Sequence, residues 1–167
     1  MKPRVRLQPV ASSDEDDFLA AVARSRRLHA KWVSPAATAE RFASLVQRMH
    51  GPLHHGFVLR RADDGALVGW IEVTNIVRGV FCSAYLGYYA FAGHERQGLM
   101  KEGLRLVVRH AFRQLRLHRL EANIQPDNLA STALVRSCGF HHEGHSPKYL
   151  KIRGRWRDHE RWAILAR

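Results

Sequence analysis

Tyr88-Tyr-Ala-Phe-Ala-Gly-His-Glu-Arg-Gln-Gly-Leu-Met-Lys-Glu-Gly103 carries an aromatic, strand-like segment into the start of a helix. Beyond it, Met100, Leu104, Val107, Val108, Ala111 and Leu115 recur at three- and four-residue intervals. That spacing predicts a helix from about Gly98 to Arg116 with one apolar face, the other bearing Arg105, Arg109, Arg113 and Arg116. The joint passes through Gly93 and Gly98, with Arg96 and Lys101 alongside. The first N–H groups of a helix lack intrahelical acceptors and sit at the positive end of its dipole, so such a joint can hold a phosphate. Gly98 would let the backbone approach an anion with no side chain in between, and Arg96 and Lys101 would add charge-assisted bonds. Many strand–loop–helix joints contain glycine and bind nothing, so spacing alone favours a plain connection. The chain has neither Gly-x-x-x-x-Gly-Lys-Ser/Thr nor a Gly-x-Gly-x-x-Gly after a strand, which argues against a nucleotidase or a dehydrogenase.

Outward from this joint the elements follow by period and punctuation. Ser12-Ser-Asp-Glu-Asp-Asp17 opens a first helix with a serine cap and acids in the first turn, and Phe18, Val22 and Leu28 give it an apolar stripe. A second helix starts near Thr38, turns Phe42, Leu45, Val46 and Met49 inward and stops at Gly51-Pro52. Strands are predicted at residues 55–61 and 66–76 about the turn Asp63-Asp64-Gly65, and at 80–91 after Arg78-Gly79. Downstream come a strand at 118–125, a short helix at 129–137 ending in Cys138-Gly139-Phe140, and a hairpin of residues 143–152 and 155–165 about Arg153-Gly154. Two helices, a meander and then strand–helix–strand units make an α/β, or layered α+β, fold on one mixed sheet. With 167 residues and no linker or repeat, a single domain over 1–167 is expected.

Lys and Arg number 27 against 15 Asp and Glu, a net charge of +12, which attracts polyanions such as phosphorylated cofactors, acidic proteins and RNA. The longest uncharged stretch, Gly79 to His94, is too short to span a bilayer, and no apolar run follows the basic start as in a secretory leader. Cys82 and Cys138 match no metal spacing and read as free thiols of a reducing, cytoplasmic compartment. The run His141-His-Glu-Gly-His145 lacks the His-Glu-x-x-His spacing of a helical zinc site, so no metal is expected. Tyr149, Trp156 and Trp162 alternate with charge between Lys148 and Arg161, which suits either nucleic-acid contact or the packing of a terminal hairpin.

Glu95-Arg-Gln-Gly-Leu-Met100 resembles the acetyl-CoA pyrophosphate loop of the GNAT acyltransferase superfamily, usually Gln/Arg-x-x-Gly-x-Gly/Ala. Asn128-Leu-Ala-Ser131 followed by Ser137-Cys-Gly-Phe140 resembles the Asn-x-x-Ser and Gly-Phe run of the same superfamily. Val77-Arg-Gly79, Tyr85-Leu-Gly-Tyr88, Leu117-His-Arg-Leu-Glu-Ala-Asn123 and Gly154-Arg-Trp-Arg-Asp-His159 narrow the likeness to RimJ/RimL-type ribosomal-protein N-terminal acetyltransferases, nearest the ribosomal-protein-alanine branch. The likeness runs from about Gly65 to Ala163.

It implies a mostly antiparallel mixed sheet flanked by helices, acetyl-CoA as cofactor, and direct attack of an amine on the thioester in a ternary complex. By that resemblance Tyr89, Ala90, Phe91, Arg96, Gln97, Gly98, Leu99, Met100, Lys101, Asn128 and Ser131 surround the cofactor, with a strand N–H among residues 89–91 serving the carbonyl oxygen. The tyrosine that many members use as proton donor falls at Val135, and Ser131 is the substitute the RimL-like pattern offers. The candidate base is Glu72, beside Trp70 and Thr74 on one strand face, acting through water; an exposed strand glutamate is the alternative. Two departures stand out: Glu95 occupies a position usually Gln or Arg, and Lys148 a position acidic in some relatives. The acceptor implied is a protein N-terminus, with the basic surface aiding approach to a ribosome. A small-molecule amine, a lysine, or an RNA-binding module without catalysis are the competing readings, and monomer and dimer both remain open.

Overall fold

The structure, a computed structural model, describes residues 3–166. Chain order is β1 (Val5–Pro9), a 3-10 turn (Ser12–Asp14), α1 (Glu15–Arg24), α2 (Arg26–His29), α3 (Ala39–Met49), β2 (His55–Arg61), β3 (Leu67–Val77), β4 (Ser83–Ala90), α4 (Leu99–Arg113), β5 (Arg119–Ile124), α5 (Leu129–Ser137), β6 (His141–Ile152) and β7 (Arg155–Leu165). The seven strands form one sheet in the order β1-β2-β3-β4-β5-β7-β6. Every neighbouring pair is antiparallel except β4 and β5, so the mixed, mostly antiparallel sheet expected from the sequence is present.

Two layers cover the sheet because strand residues alternate faces. On one face Phe57, Ile71, Val73, Leu86, Leu120, Ala122 and Trp162 pack with Leu104, Val107 and Ala111 of α4 and with Val135 and Phe140. On the other, Val58, Leu67, Trp70 and Phe91 meet Phe18 and Val22 of α1 and Phe42, Val46 and Met49 of α3. Phe18 is the hub of this second core, edge-on to Trp70 at 5.8 Å and to Phe91 at 5.6 Å. α4 lies close on the sheet at Gly103, where an added Cβ would fall 2.5 Å from Leu59 Cδ2. An alanine there is expected to cost about 1–3 kcal/mol by overpacking.

The structure moves several boundaries read from the sequence. β1 lay in the basic N-terminal stretch read only as a non-leader; it is a five-residue edge strand whose Val5 and Leu7 face the core while Arg6 and Gln8 are exposed, an alternation too short to stand out between Arg4 and Pro9. The first helix breaks at Ser25, whose hydroxyl donates to the Ala21 carbonyl at 2.6 Å, so Leu28 belongs to α2 and is exposed rather than striped with Phe18. The helix foreseen over 98–116 ends at Arg113, and the strand foreseen over 80–91 starts at Ser83 because Val80 and Phe81 sit in an exposed turn. Thr38 caps α3 through its hydroxyl oxygen, which accepts the Arg41 N–H at 3.3 Å.

Candidate active site

β4 and β5 pair only from Ser83↔Arg119 to Tyr85↔Glu121, whereas β4 stays paired with β3 up to Ala90. Beyond Tyr85, therefore, the sheet opens along one edge of β4. The Phe91 N–H donates to the Val68 carbonyl at 2.8 Å, so by strand alternation Tyr89 also faces β3, while Tyr88 and Ala90 turn their N–H groups into the opening. Of the three residues suggested for the carbonyl-oxygen donor, Ala90 alone presents a backbone N–H on that side. The end of this strand is clamped: His29 Nε2 lies 2.7 Å from the Ala90 carbonyl oxygen and its ring stands 5.1 Å from that of Tyr89. Burial lowers the His29 pKa, with the bond to Ala90 opposing, so the ring is neutral and Nε2 is the donor.

The loop from β4 to α4 braces itself. Gly93 N–H donates to the Glu95 carboxylate at 2.8 Å, and the Gln97 side-chain amide donates to the Gly93 carbonyl at 3.2 Å. Arg96 at φ 59° and Gly98 at φ 75° are left-handed, a conformation costly for Arg96 and free for Gly98. The first intrahelical bond is Glu102 N–H to Gly98 carbonyl at 3.2 Å, which leaves the N–H groups of Leu99, Met100 and Lys101 without an intrahelical acceptor. A Cβ on Gly93 would meet nothing within 4 Å, and one on Gly98 would approach only the Arg4 guanidinium, at 3.2 Å. Orphaned N–H groups at a helix start suit a diphosphate such as that of coenzyme A.

Glu95, the acid in this loop, is exposed and turned back onto backbone N–H groups, which hold its carboxyl below the usual range, so it serves as a turn cap. Arg4, which sequence reasoning missed, donates to the Gln97 carbonyl at 3.1 Å and through Nε to Glu102 at 2.6 Å, tying β1 to the loop. The Leu99 side chain is buried with Val5, Leu59 and Val68, and Met100 packs on Gly69, so both face the protein and offer a ligand only backbone. Arg96, Gln97 and Gly98 are exposed and Lys101 is half-buried.

On the opposite side of β4, α5 begins with Asn128 as its cap, accepting the Ser131 N–H at 3.2 Å. The Tyr88 hydroxyl donates to the Ser131 carbonyl at 3.3 Å, and burial pushes its pKa up. Val135 is fully buried in the core, so the tyrosine position of other superfamily members is structural here.

A cleft of about 700 Å³ lies on the α1/α3 side of the sheet, walled by residues 32–36, α3, β3, β4 and the tip of the β6–β7 hairpin. Ligand sites commonly have this size. Glu72 and Trp70 are on its floor. The Trp70 indole N–H donates to Glu72 Oε2 at 3.1 Å, and Glu72 lies over its cross-strand partner Gly87, whose Cβ would be 3.0 Å from Glu72 Oε1. Tyr89, beside it, is held neutral by burial and then by the Glu72 charge. The cleft thus reaches β4 at Gly87, Tyr88 and Tyr89, within the stretch beyond Tyr85 that β5 leaves unpaired.

A family profile described as Acetyltransferase (GNAT) domain matches residues 4–141. The chain belongs to the GNAT acetyltransferase family. As such it is an acetyl-CoA-dependent enzyme, of RimJ/RimL type by its relatives. It is 38% identical over 126 residues to the probable N-acetyltransferase YjcK of Bacillus subtilis (strain 168), covering 75% of this chain and 70% of that protein. To the [Ribosomal protein uS5]-alanine N-acetyltransferase of Escherichia coli (strain K12) it is 39% identical over 103 residues, 62% of this chain and about half, 53%, of that enzyme. Mycobacterium smegmatis RimJ, solved in complex with CoA-disulfide, superposes with a TM-score of 0.89 over 97% of this chain and 82% of its own, at 26% identity. The fold also matches a Vibrio cholerae spermidine N-acetyltransferase, with TM-score 0.83, 22% identity, and 98% and 96% of the two chains covered.

In this acetyltransferase the structure brings the sequence-derived residues into two neighbouring places. Residues 89–91 run directly into the 96–101 loop, Ser131 on α5 meets the Tyr88 hydroxyl, and Glu72 lies in the cleft beside Tyr89. Arg105, Arg109 and Arg113 are exposed on α4, and Arg116, exposed too, lies in the turn after it. Asp158 and His159 do not pair: the Asp158 carboxylate takes the Lys148 N–H at 2.8 Å and His145 Nε2 at 3.2 Å, while buried His159 meets the Arg157 carbonyl at 3.0 Å. Both are structural parts of the hairpin. Among the described residues no helix is long and apolar enough to cross a membrane.

Proposed function

We propose that the acceptor is the N-terminal α-amine of a protein, received in the cleft and deprotonated by Glu72 directly or through one water. The observation that carries this is the Glu72 carboxylate, fixed by the Trp70 indole and laid across Gly87 on the strand that β5 leaves unpaired beyond Tyr85. An α-amine titrates near 8 and a lysine near 10.4, so a single carboxylate serves the former with less help. The 39% identity to a ribosomal-protein-alanine acetyltransferase supports the same acceptor. The exposed arginines of α4 would favour approach to a polyanion such as a ribosome.

Bound acetyl-CoA supplies the acetyl thioester. For the chain's part, the N–H groups of Leu99, Met100 and Lys101 hold the diphosphate, with Arg96, Gln97 and Lys101 at its margin. The Ala90 N–H faces the opening as a fixed donor for a carbonyl oxygen, and the His29 clamp keeps it aimed. Ser131 is the proposed proton donor on the α5 side; Tyr88, which keeps its proton at Oη because burial raises its pKa, stands beside it.

A small-molecule amine is the second reading, favoured by the size of the cleft. Incubation with labelled acetyl-CoA and a library of N-terminal peptides, read by mass spectrometry, distinguishes them. Acetyl groups on α-amines are expected. Labelling of small amines or lysine side chains alone would overturn the proposal.

A further inference from the structure

Four cationic side chains and two carboxylates line the acceptor cleft, and they are not mixed at random. Arg41 and Arg48 project from α3, and Lys151 and Arg153 from the tip of the β6–β7 hairpin, all four exposed at the mouth. Glu72 lies at the floor, half-buried, and Glu40 is at the rim beside Arg41. Among the described residues none of the four cations forms an ion pair, although cations elsewhere do: Lys31 pairs with Asp127, Arg61 with Asp63, and Arg119 with Glu121 and Glu143. Arg153 also bridges the mouth, its guanidinium donating to the Val33 carbonyl at 3.4 Å. Charges left uncompensated around a concave site focus a field on whatever enters.

From this we infer that the cleft selects protein N-termini whose second to fourth residues include aspartate or glutamate. The inference rests on the proposed α-amine acceptor and adds the sequence that follows it. A negative floor below a positive mouth complements a chain with a cationic head and anionic residues behind it. Acidic side chains at those positions meet Arg41, Arg48, Lys151 and Arg153 while the α-ammonium descends to Glu72. A polyamine has the right head and the wrong tail, because its further ammonium groups must lie among four like charges, an arrangement that rejects by repulsion. Lysine-rich N-termini fail for the same reason.

The test uses the full chain, acetyl-CoA and three peptides identical except for Asp, Gln or Lys at positions two to four, with spermidine as a fourth acceptor. The kcat/KM is expected to fall from Asp to Gln to Lys by roughly tenfold per step at low salt, through KM, and the spread to shrink as salt screens the mouth. The charge swap Arg41→Glu with Arg48→Glu is expected to narrow or invert the order; a retained thermal shift with acetyl-CoA shows that this variant is folded. Should it fail to fold, Lys151→Glu on the hairpin reads the same effect. Equal kcat/KM for the three peptides overturns the acidic preference and leaves the α-amine acceptor standing. Acetylation of spermidine with none of the peptides modified overturns both.

Discussion

The loop at the start of α4 and the acceptor cleft lie on either side of β4 and are built in opposite ways. The loop is made of eleven consecutive residues, 91–101, and works through backbone: left-handed Gly98, the free N–H groups behind it, and a carboxylate that serves the turn. The cleft is made of side chains from residues 32–48, 70–89 and 151–153, with no two of its three walls adjacent in sequence. A backbone site is defined by geometry and tolerates side-chain change; a side-chain site is defined by identity. The first suits a cofactor shared by a whole family, the second an acceptor that differs between members.

The hardest test of that contrast is Gly98→Asp, which places a carboxylate at the helix start beside the orphaned N–H groups. The KM for acetyl-CoA is expected to rise by roughly a hundredfold or more, and the rise in Tm with acetyl-CoA to vanish. A near-normal KM would mean that the diphosphate does not sit there.

Glu72→Gln is expected to lower kcat by about a hundredfold with the acetyl-CoA KM unmoved, because it removes the base and keeps the bond from Trp70. Equal turnover in steady-state assays would assign Glu72 to packing.

Between the two regions stands His29, which must be neutral to remain buried against Ala90. Its pKa is lowered in the fold, so its contribution to stability is full above the ordinary value of about 6.5 and is lost as pH falls below it. His110 and His159, also lowered by burial, act in the same direction, while exposed His145, raised by Glu160 and Asp158, acts weakly against it. Thermal melts from about pH 7.5 to about pH 5.5 are expected to show declining Tm, with a shallower decline in His29→Gln. An unchanged slope would show that His29 carries none of the effect.

The smallest effect belongs to Glu95→Gln. Because the carboxylate is taken up in capping Gly93, the acetyl-CoA KM is expected to change by no more than about threefold, the scale of one exposed hydrogen bond. A large improvement would place that charge against the cofactor after all.

Legibility followed the same division. The helical period of Met100 to Leu115, the turn at Asp63-Asp64-Gly65 and the glycine-marked loop are local patterns, and the structure holds an element for each. β1 was missed because its alternation of Val5 and Leu7 with Arg6 and Gln8 covers only five residues. Arg4 was invisible for a related reason: its partners Gln97 and Glu102 are more than ninety residues away. Glu72 was selected from its strand face, yet neither the Trp70 bond nor the space above Gly87 has any signature in spacing. The cations at the mouth drew no reading as a group, since nothing in sequence tells which of 27 lysines and arginines share a cavity.

By itself the sequence determined the layered α/β architecture, the glycine-marked loop at the start of α4 and the likeness to the family, because period, glycine placement and helix ends act over a few residues. Only the tertiary structure decided which N–H of residues 89–91 is available, where Glu95 points, and that Arg41, Arg48, Lys151 and Arg153 surround one cleft. Those outcomes depend on strand pairing and on through-space electrostatics, which couple residues by distance in the fold and not by position in the chain.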